Sequence, residues 1–154
     1  MMEKSFEITK DLLEKLQKVE LEMLIEVDRI CRKNNIKYSI MYGTLLGAVR
    51  NGGFIPWDDD CDVVFNRDEY EKFFEACKKD LDTSKFFLQE HRTDPNYLFG
   101  YGKLRRKNTV FRRKGQGHIK QRLNSMLSET RSIRKYLNIL HIVGLKGCFT
   151  ECWI

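Results

Sequence analysis

Four aspartates stand within five residues, Asp58, Asp59, Asp60 and Asp62, directly after Gly53-Phe54-Ile55-Pro56-Trp57. Asp60 and Asp62 are two apart and lead into the apolar run Val63-Val64-Phe65. Side chains on a strand alternate faces, so this spacing points both carboxylates one way and Cys61 the other. Two parallel carboxylates at a strand start can hold a hard divalent cation, and Mg2+ held this way keeps room for phosphate oxygens. Upstream, Gly43-Thr44 opens a short helix whose free backbone N–H groups favour an anion. A cation site and a phosphate cradle thus share the stretch Tyr42 to Phe65, as phosphoryl or nucleotidyl transfer requires. Asp58 and Asp59 either touch metal or substrate or hydrogen-bond loop N–H groups. Arg50 either pairs with the aspartates or meets substrate. Gly47 is expected to serve helix packing, and Trp57 to pack under the loop.

The elements that must position these residues follow from periodicity. Leu12, Leu16, Val19, Met23, Val27 and Ile30 recur at three-to-four spacing, which predicts a helix from 9 to about 33. Thr9 is its N-cap, and Asn34-Asn35 can end it in a left-handed residue. Lys37 to Met41 is a short buried strand that delivers the glycine-threonine turn. After the aspartate strand, Asn66 to Glu69 resembles a capping box, opening a helix with Tyr70, Phe73, Phe74, Cys77 and Leu81 inward. Phe86 to Glu90 and Tyr101 to Arg105 are strands, and Lys107-Asn108 turns tightly into Thr109 to Phe111. This order predicts an α/β (α+β) domain around a small mixed sheet flanked by helices.

At 154 residues the chain is one domain by length, and 42% hydrophobic residues suffice for a core. Of the net charge of +6, residues 115–154 contribute +4, from six basic against two acidic side chains. Such a tail could meet nucleic acid or an anionic membrane, but no stacking aromatics interleave the charges. A solvated helix face is the plainer reading, and no nucleic-acid partner is expected. Five cysteines without small-domain spacing make no disulfide framework, and Cys148-x3-Cys152 has no second pair for zinc. Cys31 and Cys77 fall on apolar helix faces. His91, His118 and His141 fit no triad. The N-terminus has no signal-peptide core, and no apolar run reaches the roughly 18 residues of a spanning helix, so a cytoplasmic chain is expected.

With these residues in view, YGTLLGAVRNGGFIPWDDDCDVVF resembles the signature of the LicD family. These are phosphocholine transferases of bacterial surface glycans and teichoic acids, related to fukutin-type transferases. The flanking LEKLQKVELEMLIEVDRICRKNNIKYSI, DEYEKFFEACKKDL and TDPNYLFGYGKLRRKNTVF are similar to family blocks, so the resemblance covers roughly residues 8 to 113. It implies a nucleotidyltransferase-like fold. It also implies transfer of phosphocholine or a related phospho-alcohol from a CDP-choline-like donor to a glycan or lipid-linked glycan, with Mg2+ or Mn2+. Carried over, Asp60 and Asp62 are the catalytic metal ligands. Gly43, Thr44, Arg50 and Asp59 bind the donor, and Lys103 and Arg105, two apart on one strand face, neutralise its diphosphate. The implied place of work is the inner face of the membrane, with peripheral contact possible for a chain carrying no anchor.

The resemblance divides the chain into a core, 1–113, and a divergent basic tail, 114–154. Family members resume with a G-I-F-I-D-I-F-P-type strand carrying another aspartate. Here no aspartate follows Asp94, and Ile139 to Leu145 has no carboxylate. Either the end is truncated or frameshifted, leaving the metal short of a ligand and the sheet short of a strand, or the tail is a variant helix. For the helix, Ile119, Leu123, Met126, Thr130, Ile133, Leu137 and Leu140 have the spacing. A truncated chain would be an inactive remnant that binds a nucleotide or partner without turnover.

Overall fold

A computed structural model describes residues 9–97, 99–109 and 139–145, the last by its backbone alone. The first helix, α1 (Lys10–Lys33), begins at Thr9, whose hydroxyl accepts the Leu12 N–H at 3.4 Å. It is followed by Asn35 at φ 52°, the left-handed residue that the Asn34-Asn35 pair predicts. Strand β1 (Ser39–Ile40) is shorter than the sequence suggests. It leads into α2 (Tyr42–Asn51), which returns through the aspartate loop to β2 (Cys61–Asn66). Next come α3 (Arg67–Asp80), β3 (Phe86–Gln89), β4 (Gly102–Arg106) and β5 (Ile139–Leu145).

The five strands form one mixed sheet in the order β1-β2-β5-β4-β3. Only β2 and β5 run parallel; the other neighbours are antiparallel. The α+β class with a small mixed sheet is therefore as the sequence predicts.

The tail is not. Ile139 to Leu145, expected to leave the sheet a strand short or to end a helix through Leu140, is the central strand. Periodicity alone cannot tell a short continuous apolar run in a strand from one in a helix. ILHIVGL is such a run, and its leucines fall into helical spacing with Leu137 by coincidence. The rest of the expected tail helix, the Thr109 to Phe111 strand beyond Thr109, His118, Cys148 and Cys152 lie outside the described residues.

Alternation along β2 decides what the sheet does. Cys61, Val63 and Phe65 are almost fully buried and meet α1 and α3 through Met23, Val27, Ile30, Tyr70, Phe73 and Cys77. The Phe65 and Phe73 ring centroids lie 4.8 Å apart. Leu88 and Leu104 continue this apolar face across the sheet, as register neighbours. Both long helices thus cover one face. Burial pushes the Cys31 and Cys61 thiols up to about 12, so they pack as small hydrophobes, as expected for Cys31 and Cys77.

Asn66 caps α3 by accepting the Glu69 N–H at 3.0 Å, which is half of the capping box. The other half is absent: Glu69 accepts the Lys37 N–H at 2.7 Å and pairs with Lys72. The carboxylate that local sequence assigns to its own helix end instead ties α3 to the chain entering β1. Among the described residues, no helix is long and apolar enough to cross a membrane.

Candidate functional site

The opposite sheet face carries the polar residues. Asp62, His141, Lys103 and Gln89 occupy one register row across β2, β5, β4 and β3. Lys103 and Arg105 alternate with buried Leu104, so they share Asp62's face, as the sequence spacing predicts. Arg105 is 4% exposed, and its Nε donates to Gln89 Oε1. Burial pulls its guanidinium down to about 10. Gln89 in turn donates to Asp94 at 2.6 Å. Arg105 is thus buried within the protein, and Lys103 is buried beside it.

The aspartates gather at the start of β2. Oxygens of Asp58, Asp59 and Asp60 all lie within 4.8 Å of one another, half-buried, which fits a hard cation. This trio differs from the Asp60–Asp62 pair that strand alternation picks out, because Asp60 precedes the strand and the loop folds back on it. Asp62 still contributes its field. Burial raises the Asp58 carboxyl, and the charges of Asp60, Asp59 and Asp62 push it further.

Three features hold the loop in place. Asp58 N–H donates to Ile55 O at 3.0 Å, closing a turn with Pro56 at its second position. Gln17, on α1, donates to Ile55 O at 3.1 Å and Asp58 O at 3.0 Å. Gly43, in the first turn of α2, lets Asp58 approach: a Cβ there would collide with Asp58 Oδ2. Gly47 has the packing role expected, since a Cβ would sit 2.5 Å from Gly53 O and 2.9 Å from Ile55 N.

The remaining expected residues have the following settings in the fold. The Thr44 hydroxyl accepts the Asp62 N–H at 2.8 Å, which stitches α2 to β2. Arg50 donates to Asn51 at 2.9 Å, and among the described residues it forms no ion pair with the aspartates. Trp57, expected under the loop, is 74% exposed. It occupies the third position of the Ile55–Asp58 turn, the tip, from which the side chain projects outward. Tyr42 opens α2 at φ 51°, a costly conformation for a bulky residue, next to Gly43 and the aspartates.

Sequence reasoning missed Gln17 and Tyr42. Gln17 lies 41 residues from Asp58, and nothing in helical spacing marks it. Tyr42 stands where the chain passes from β1 into α2, a junction that periodicity does not mark.

A family profile described as LicD/FKTN/FKRP, nucleotidyltransferase domain, matches residues 35–131, more than half of the chain. The chain belongs to the LicD family. The matched region starts later and ends later than the 8–113 span read from sequence. The lipopolysaccharide cholinephosphotransferase LicD of Haemophilus influenzae is 48% identical over 64 residues, 42% of this chain and 24% of its own length. An uncharacterized protein of Rickettsia prowazekii is 38% identical, over 38% of this chain and 29% of its own length. The alignments thus span less than a third of these relatives' length. No solved structure shows a significant match.

Proposed function

We propose that this LicD-family chain moves phosphocholine, or a related phospho-alcohol, from a CDP-activated donor to a hydroxyl of a surface glycan or its lipid-linked precursor, with Mg2+ or Mn2+. The observation that carries this reading is the convergence of Asp58, Asp59 and Asp60 beside Asp62 at the start of a sheet strand. Its support is family membership and the name of the Haemophilus influenzae relative, a lipopolysaccharide cholinephosphotransferase. Asp58, Asp59 and Asp60 would hold the divalent cation, which would supply charge neutralisation at the donor diphosphate. The acceptor oxygen forms the new P–O bond, CMP leaves with the electrons of the broken one, and the hydroxyl proton passes to an aspartate of the cluster. The chain's own contribution is positioning and charge neutralisation, as usual for phosphoryl transfer. Gln17 and Gly43 hold the loop, Thr44 fixes Asp62, and Lys103, in Asp62's register row, would neutralise charge on the diphosphate. The inner membrane face is the reading's place of action, since the precursors would lie there.

Calorimetric titration with CDP-choline, with and without Mg2+, tests it. Binding should require the metal and disappear in Asp60→Ala while the circular dichroism spectrum stays unchanged. Metal-dependent binding that survives in Asp60→Ala sinks the assignment.

A second reading has its own observation: β5, ILHIVGL, brings no carboxylate to the row beside Asp62. On it the chain binds nucleotide without turnover. Transfer of labelled phosphocholine by the purified chain excludes this reading.

A further inference from the structure

On the sheet face that carries Asp62 lies an aromatic group that the transfer chemistry above does not use. Tyr97, Phe99 and Tyr101 alternate along the segment that enters β4. Their rings line up, with Tyr97–Phe99 centroids 5.3 Å apart and tilted 56°, and Phe99–Tyr101 centroids 5.5 Å apart and tilted 43°. The ammonium of Lys103 sits between the last two, 4.7 Å from the Phe99 centroid and 5.4 Å from that of Tyr101. Both distances fall within the range at which a ring face attracts a cation. The Tyr97 hydroxyl, in a residue 6% exposed, has no hydrogen-bond partner among the described residues. The cluster therefore also holds a phenolic dipole that no described protein group uses.

We infer that Phe99 and Tyr101, backed by Tyr97, seat the quaternary ammonium of the donor, and that Lys103 holds this place until the donor arrives. The inference rests on the phosphocholine-transfer reading and adds to it the residues that recognise the alcohol. Distance supports it: Lys103 and Asp62 share a register row with one strand between them. That separation is two strand spacings, about 10 Å. On this inference, a phosphate held near Asp62 would extend its two-carbon ammonium arm along this row to reach the rings.

Two cations cannot share the seat, and their chemistry decides which leaves. A primary ammonium has three N–H donors, which phosphate oxygens accept well. A quaternary ammonium has no N–H to satisfy, so it loses little on leaving water for an aromatic surface. On this inference, with the donor bound, Lys103 turns its charge to the diphosphate and the trimethylammonium takes the rings.

The test is titration of the full chain, in Mg2+, with CDP-choline, CDP-ethanolamine and CDP. CDP-choline should bind about 3- to 30-fold tighter than CDP, and CDP-ethanolamine should fall between them. Phe99→Leu and Tyr101→Leu should each shrink the ratio toward one, whereas Tyr101→Phe, which keeps a ring, should retain it. Equal affinities for CDP-choline and CDP in the unaltered chain overturn the inference while leaving the nucleotide reading intact. So does a ratio that survives both leucine variants. If CDP itself fails to bind, the donor reading falls. The seat is then judged by titrating tetramethylammonium against the Tyr101 ring resonances: shifts that vanish in Phe99→Leu uphold it, and their absence overturns it.

Discussion

On one face of the sheet, Cys61, Val63, Phe65, Leu88 and Leu104 lie sealed under α1 and α3. On the other, the same strands carry Asp62, Lys103, Arg105 and Gln89. The residues concerned are neighbours in sequence, yet one set packs apolar side chains against the helices and the other gathers polar and charged ones. The comparison shows how a small domain fixes a site. Strand alternation means that each apolar side chain locked into the core also sets the position of the polar one beside it. The polar face depends on the apolar face for its geometry, and the reverse dependence is weak.

The largest effect should come from breaking the apolar side. Phe65→Ala removes a ring that contacts Phe73, Tyr38 and Tyr70. It should cost about 3–5 kcal/mol of stability in urea unfolding. A loss below about 1 kcal/mol would mean that this face is not the core. Gly43→Ala acts on the other side. A methyl there displaces the Asp58 carboxylate and should weaken Mg2+-dependent nucleotide binding, read by calorimetry. Unchanged cation dependence would show that Asp58 need not approach α2.

Asn66→Ala removes the α3 cap and should cost about 1 kcal/mol, with nucleotide affinity unaltered in a folded sample. A change in affinity as large as the change in stability would contradict the division between faces.

Acid should erode the scaffold gradually. Burial alone would raise Glu26, but hydrogen bonds from Arg29 and the Asp82 N–H hold it below the usual glutamate range. Lys72 and the Lys37 N–H lower Glu69. Both carboxylates have folded values below their unfolded ones. Their stabilisation is therefore full above the usual glutamate value, about 4.3, and is lost as pH falls through the lowered values. Glu69→Gln should flatten the fall in melting temperature below that pH, and an unchanged slope would remove Glu69 from the account.

Much of this was readable in the chain itself. The Thr9 cap, the left-handed Asn35, the Asn66 cap and the inward face of α3 are local, set by side chains within a turn of one another. The Lys107-Asn108 turn is local too, with Asn108 at φ 64°. The site was legible as a motif, since the four aspartates and the glycine turn lie within one short segment. The detail was less so. Trp57 was expected inside and is exposed, because Pro56 sets a turn whose tip faces outward. The converging carboxylates are Asp58, Asp59 and Asp60, because a loop obeys no alternation rule.

By itself the sequence determined the helices, their caps, the strand carrying Asp62 and the family to which the chain belongs, since each rests on neighbours or on an ordered motif. Only the tertiary structure decided that Ile139–Leu145 is the central strand, that Gln17 holds the aspartate loop and that Glu69 ties α3 to β1. Each of these joins residues more than 30 positions apart. Hydrogen-bond donors and apolar strands specify what kind of partner they need but not where along the chain it lies. That choice is made when the whole sheet closes over one core.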